Sequence, residues 1–307
     1  MIAILLSVYN GEQFLCEQLD SIVSQSFQDF IVWVRDDGSH DSSKEIIEKY
    51  KTLYPSKFEL VDWNSHQNLG FGSSFLRLLE VAAGELYFFC DQDDVWHYTK
   101  LADYLECYEA CKTKNLPLLL ISDFSIFKKE INFKSFYKSL GIRTSQDVSI
   151  QFSFLFSGCT YCLNTNLRNT VVSSKVMHKF GHDVKTFFIA LLEGEIRFLP
   201  KSTMKYRIHS NNLCGYKRTQ GIIVSIKDFM KYFYSSNEYR KIILRPYFEL
   251  YENLKLSYDK DILQTNELYC EEDINSLNFI QRKLWYQKHF LPFFPSYIEG
   301  ILKVLTF

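Results

Sequence analysis

Two hydrophobic patterns alternate along the first 123 residues. Short apolar runs, IAILLSVY (2–9), DFIVWVRDD (29–37), FELVDW (58–63), ELYFFCDQ (85–92) and LPLLLISD (116–123), are the length of buried strands. Between them lie EQFLCEQLDSIVSQ (12–25), SSKEIIEKYKTLY (42–54), GSSFLRLLEVAAG (72–84) and TKLADYLECYEACK (99–112), whose apolar positions recur every three to four residues as on one face of a helix. Strands separated by helices of about three turns predict crossover connections and a mainly parallel sheet covered on both faces. Such sheets hold ligands at the carboxyl ends of their strands.

The polar clusters fall at those ends. Ser7, Tyr9 and Asn10 follow the first strand, Asp36 and Asp37 the second, and Asp91, Asp93 and Asp94 the fourth. The last group, in FFCDQDDVW, places three carboxylates within four positions, where mutual repulsion calls for a shared positive partner. Carboxylate oxygens suit hard divalent ions, which bind few protein carboxylates together with substrate phosphates. Asp41 or Ser42 serves as a cap for the helix starting SKEII, but adjacent aspartates before Gly38 exceed what capping needs. Asn68 beside Gly70 and Gly72 fits either a turn or a phosphate-facing helix start.

Beyond residue 123 the pattern loosens into FSIFKKEINFKSFYKSLG, expected to be a mobile loop region beside the site. Order is expected again at FSGCTYCLN (156–164), and residues 181–215 are expected to give a helix, a short strand and a second strand ending in the polar YRIHSNN. His182 and Asp183 open that helix, and Tyr206, Arg207, His209, Ser210 and Asn212 form the last dense polar group. From about residue 216 the chain reads as mainly helical and rich in aromatic and basic residues.

Composition narrows the classes. In 307 residues, 27 Phe and 20 Tyr accompany 35 basic and 36 acidic side chains, which excludes disorder and gives no global polycation for nucleic acid. The first residues begin directly as a strand, so a cytoplasmic product is expected, and no uncharged apolar run reaches the ~18 residues of a spanning helix. In FIQRKLWYQKHFLPFFP, Arg282, Lys283 and Lys288 sit among aromatics as in an interfacial helix, so residues 278–307 are a candidate for peripheral contact with the inner face of the plasma membrane. The eight cysteines lack metal-site spacing. Cys159 and Cys162, at an odd separation in a strand-like stretch, are expected on opposite faces as reduced structural thiols.

In order and spacing, SVYNGEQFLCEQLDSIVSQSF, VRDDGSHDSS, HQNLGFGSSF, the DQDDVW segment, the His182–Asp183 pair and YRIHSNN resemble the inverting glycosyltransferases of family 2, and within them bacterial polysaccharide rhamnosyltransferases. The resemblance covers about residues 1–215. It implies an α/β GT-A fold with a mainly parallel sheet, a nucleotide-sugar half (1–123), an acceptor half (124–215) and a helical C-terminal region (216–307). It implies that Ser7, Tyr9, Asp36 or Asp37, Asn68, Asp91 and Arg207 bind the donor, that Asp93 and His209 hold Mg2+ or Mn2+, and that Asp183 is the catalytic base. The implied donor is dTDP-rhamnose, with a UDP-hexose or UDP-N-acetylhexosamine as the alternative, and the implied acceptor a lipid-linked glycan. Val184 and Lys185 stand where such enzymes carry a bulky aromatic pair, which leaves the acceptor open. A non-catalytic glycan-binding or scaffold protein would be expected to have lost the acidic positions that this chain keeps.

Overall fold

The computed structural model describes residues 1–65, 67–111, 115–127, 134–139, 142–145, 148, 156–174 and 181–209. The chain divides into two units, Met1–Arg218 and Thr219–Phe307, and every described residue lies in the first. The expected helical C-terminal region and its candidate membrane contact over 278–307 therefore lie outside the described residues, as do Ser210 and Asn212. No helix among the described residues is long and apolar enough to cross a membrane.

The elements are β1 (Ile2–Val8), α1 (Leu15–Val23), β2 (Phe30–Asp36), α2 (Ser43–Leu53), β3 (Phe58–Leu60), α3 (Phe71–Val81), β4 (Leu86–Cys90), β5 (Val95–Trp96), α4 (Lys100–Glu109), β6 (Leu118–Phe127), α5 (Phe136–Ser139), β7 (Tyr161–Asn164), α6 (Thr165–Ser173), α7 (His182–Glu193) and β8 (Glu195–Arg207). They build one sheet of eight strands in the order β3-β2-β1-β4-β7-β6-β8-β5. β1 pairs in parallel with β2 and β4, β2 with β3, and β6 with β8. The pairings of β4 with β7, β6 with β7, and β5 with β8 are antiparallel.

The sheet is mixed but mainly parallel, as expected: six of its eight strands run in one direction. β5 is reversed at the edge beside β8, and β7 enters between β4 and β6 with reversed direction. The reversals on the two sides of β7 cancel, so β6 and β8 run the same way as β1, β2 and β4. The carboxyl ends of these five strands, and the turn that leads into β7, share one edge of the sheet.

Burial follows the apolar pattern. Every residue of β4 is buried, and Phe75, Leu78 and Leu79 of α3 are fully covered. Burial of each such side chain stabilises by roughly 1.5–3 kcal/mol. β6 runs straight through Asp123 and breaks register there, against β8 between Leu199 and Ser202, where Pro200 has no N–H for the ladder. What reads as two strands in sequence is therefore one strand, β8. Asp123 itself is fully buried and accepts from the amides of Phe124, Tyr137 and Lys138 and from the hydroxyl of Ser135. Where described, the segment expected to be a mobile loop is thereby anchored at both β6 and α5. Val95 and Trp96 form β5, paired with β8.

Candidate active site

The loop after β1 is bound to the loops beside it by backbone contacts that no sequence pattern shows. Gln92 presents its amide to the Tyr9 peptide, accepting from Tyr9 N at 2.8 Å and donating to Tyr9 O at 3.0 Å. A Cβ at Gly11 would lie 2.5 Å from Gln92 Oε1, so only glycine admits this approach. Asn10 N donates to Ser39 Oγ, Gly11 N to Ser43 Oγ, Glu12 N to Asp41 Oδ2 and Ser42 N to Glu12 Oε2. Asp41 thus joins the α2 start to the β1 loop as well as accepting from Ser43 N. The Tyr9 side chain is left 46% exposed on this braced rim, available to a flat ligand.

Asp36 and Asp37 do not stand open on the rim. Asp37 is 3% exposed and pairs with the buried guanidinium of Arg35, while its oxygens accept from Leu69 N at 2.8 Å and Gly70 N at 2.9 Å. Arg35 also donates to Gln67 O and Ser74 Oγ, and Ser7 Oγ donates to Ser74 Oγ at 2.7 Å. Asp36 Oδ2 accepts from Gly38 N and Ser39 N, closing the turn at Gly38 (φ 87°), and its buried Oδ1 has no partner. Asp37 holds the 67–70 loop through Leu69 N and Gly70 N, and the Oδ1 of Asp36 is the oxygen of the pair without a hydrogen bond. Asn68 is exposed on that loop, its Oδ1 accepting from Gly70 N. Asp37→Asn is expected to lower stability by about 2 kcal/mol, the scale of a lost hydrogen bond to a charged group, read as a shift in the urea midpoint.

The acidic loop after β4 turns partly inward. Asp94 is fully buried, and Asp91, Asp94 and Cys159 place ligand atoms within 4.8 Å of one another. Burial first, then the charges of Asp93 and Asp183, pushes the Asp91 carboxyl up to about 8. Burial, Asp93 and Asp91 likewise hold Asp94 well above the ordinary carboxylate range, and burial does the same to the Cys159 thiol. Cys159 lies in the short 3-10 turn Gly158–Thr160, before β7 and not within it, so its expected place opposite Cys162 on a strand is wrong. Fully buried Lys100 donates from Nζ to Cys159 O at 2.8 Å and lies 4.2 Å from the centre of the Trp96 ring.

The end of β8 reaches the same loop. His209 Nε2 and Asp93 Oδ2 lie 2.6 Å apart, so an imidazole nitrogen and a carboxylate oxygen converge as a donor pair suited to a divalent cation. Arg207 is brought here too, but as a brace. Its Nε donates to Asp93 O at 2.8 Å, its backbone N to Asp94 Oδ1, and its guanidinium pairs with Glu17 and lies over Phe14. Two of its guanidinium nitrogens are thus engaged with Asp93 and Glu17.

α7 aims its first turn at this edge. A Cβ on Gly72 would lie 3.2 Å from Gly181 Cα, and one on Gly158 would lie 2.7 Å from His182 Nε2 and 3.2 Å from Asp183 Cβ. Glycines therefore let the starts of α3 and α7 and the 158–160 turn meet. Asp183 Oδ1 accepts from Val184 N at 2.8 Å, and its charge bears on Asp91. His182 instead points into the core, 1% exposed, its ring against Phe71, Phe75 and Phe89 and neither nitrogen hydrogen-bonded. Burial lowers its pKa to about 4, against a smaller opposing effect of Asp183. The unfolded chain, with an ordinary histidine near 6.5, takes up that proton first, so stability is complete above about pH 6.5 and is lost as pH falls toward about 4. His182→Phe is expected to remove an acid-side loss of roughly 2 kcal/mol near pH 5, measured as the difference in urea midpoints between about pH 7.5 and pH 5.

Residues 3–114, which supply the β1, β2 and β4 ends of this rim, match the family model Glycosyl transferase family 2. The chain carries a family 2 glycosyltransferase domain. The glycosyltransferase is 26% identical over 226 residues to the dTDP-rhamnosyl transferase RfbG of Shigella flexneri, a match covering 68% of this chain and 73% of the relative. It is 32% identical over 152 residues to a poly(ribitol-phosphate) beta-glucosyltransferase of Bacillus spizizenii, covering 48% of this chain but only 22% of that one. Among solved structures, S. aureus TarS 1-349 in complex with UDP-GlcNAc superposes with a TM-score of 0.56 at 19% identity, covering 98% of this chain and 83% of that chain. A mannosyltransferase from Pyrobaculum calidifontis, in complex with GDP-Man and Mn2+, superposes at 0.52 and 18% identity, covering 69% and 58%. At these identities the structural likeness establishes the GT-A fold of the glycosyltransferase and nothing finer.

Proposed function

We propose that the enzyme transfers a single sugar from a nucleoside diphosphate to a glycan acceptor of a bacterial surface polysaccharide, with inversion at the anomeric carbon. The observation that carries this reading is the meeting of the Asp93–His209 pair, Asp91 and the α7 start with Asp183 at one sheet edge. Asp93 and His209 are the residues that would hold a divalent cation. When bound, that cation supplies charge neutralisation to a departing diphosphate.

The chain's own groups account for the rest. Asp183 accepts the proton of the acceptor hydroxyl as its oxygen forms a bond to the anomeric carbon. The carbon–oxygen bond to the donor phosphate breaks on the opposite side, its electron pair leaving with the nucleoside diphosphate. Tyr9 offers its exposed ring to the base, and Asp36 its Oδ1, which has no hydrogen bond within the protein. Arg207 keeps the Asp93 loop in place from behind.

The similarity to a dTDP-rhamnosyl transferase makes L-rhamnose from dTDP-rhamnose the first donor to test. A UDP-hexose or UDP-N-acetylhexosamine is the second, supported by the likeness to a glucosyltransferase of poly(ribitol-phosphate) and to a structure holding UDP-GlcNAc. The acceptor proposed is lipid-linked, met at the inner membrane face. The test is a panel of dTDP- and UDP-sugars with Mn2+ and a lipid-linked glycan, with product mass and anomeric configuration read by NMR. Retained configuration, or hydrolysis without transfer, overturns the reading.

A further inference from the structure

Phe14 stands where a capping residue is expected. It immediately precedes α1, and its side chain has no oxygen to accept from the N–H groups of the first turn, as Ser, Thr, Asp or Asn would. Its backbone is pinned all the same, since Phe14 N donates to Gly11 O at 3.0 Å. The half-buried ring meets the end of β8 instead. Its centre lies 4.8 Å from that of the His209 imidazole, the two planes inclined at 40°, and 4.6 Å from Arg207 Cζ. These are contact distances for paired rings and for a cation over a ring. Glu17, in the first turn of α1, pairs with the same Arg207 guanidinium.

His209 lies beyond Arg207, the last residue of β8, so the strand ladder does not set its place. A metal-ligating imidazole needs a fixed ring plane because its nitrogen lone pair is directional, and groups that orient the ring tune affinity without touching the ion. We propose that Phe14 is a positioning residue for His209, holding the imidazole so that Nε2 stays beside Asp93 Oδ2, 2.6 Å away, and directed at one shared cation. Arg207 lies against the same ring but keeps its bonds to Asp93 O and Glu17 without it, so loss of the ring falls on His209. This rests on the proposed metal site at Asp93 and His209.

Mn2+ binding to the full chain in the presence of UDP, followed by the EPR signal of free Mn2+, tests it without turnover, with a urea midpoint to show that each variant is folded. Phe14→Leu is expected to weaken that binding by about tenfold, the lower end of the range for losing a group that orients a metal-ligating histidine. Phe14→Tyr, which keeps the ring, is expected to keep most of the affinity. In the His209→Ala background Phe14→Leu should cost little more, because the imidazole that it positions is gone. A merely structural role gives the same loss in both backgrounds and overturns the proposal. Wild-type affinity in folded Phe14→Leu, or Phe14→Tyr as weak as Phe14→Leu, also overturns it, and each of these results leaves the metal site standing. Wild type that binds no Mn2+ with UDP, or His209→Ala with unchanged affinity, overturns the metal site and this proposal together. Should Phe14→Leu not fold, Phe14→Met repeats the comparison, and failure of both to fold assigns Phe14 to the fold and overturns the proposal.

Discussion

Asp183→Asn is expected to lower turnover by about two to four powers of ten while nucleotide binding in the presence of Mn2+ persists. The amide has the shape of the carboxylate and can still accept from Val184 N, so the first turn of α7 should keep its geometry. What it cannot do is take a proton. The neighbouring groups do not replace it. His182 faces the core among three phenyl rings, and Asp91 is pushed toward its protonated form by burial and by the charges of Asp93 and Asp183. Single-turnover rates alongside equilibrium binding of UDP or dTDP separate the two functions. Unchanged turnover with lost nucleotide binding would place Asp183 in the donor site and move the base elsewhere.

How much of this was legible in the chain depends on how far apart the interacting residues lie. The alternation of β1 through α4 was readable because each element carries its own apolar period, and the polar clusters at strand ends followed from it. β7 was readable as an ordered stretch, but its insertion between β4 and β6 was not, because four residues contain no record of their neighbours. The same limit hid the roles within the site. Asp36 and Asp37 are adjacent and alike in sequence, yet Arg35, two residues before Asp37, turns that one into a buried ion pair and leaves Asp36 with an unpartnered oxygen. Gln92 and Cys159 carry no charge and no special spacing, and only the folded edge sets them against Tyr9 and Asp91. Lys100 left one signal, a cation at the start of a helix, against the usual preference.

The second large effect is expected at Asp93. Asp93→Ala should reduce turnover by about a thousandfold or more at saturating Mn2+ and weaken Mn2+-dependent nucleotide binding, since charge neutralisation at a departing diphosphate is worth several kcal/mol. The fold should be little affected. Arg207 holds this loop through the Asp93 carbonyl and through Asp94, both of which remain in the variant. The side chain itself meets His209 at partial exposure, so its loss opens no core cavity. Because Asp93 and His209 lie 2.6 Å apart and would serve one cation, their losses should not add: His209→Ala alone costs turnover, but in the Asp93→Ala background it should cost little more. Additive losses would mean that His209 acts on the diphosphate independently. Unchanged turnover in Asp93→Ala would remove the cation from this loop altogether.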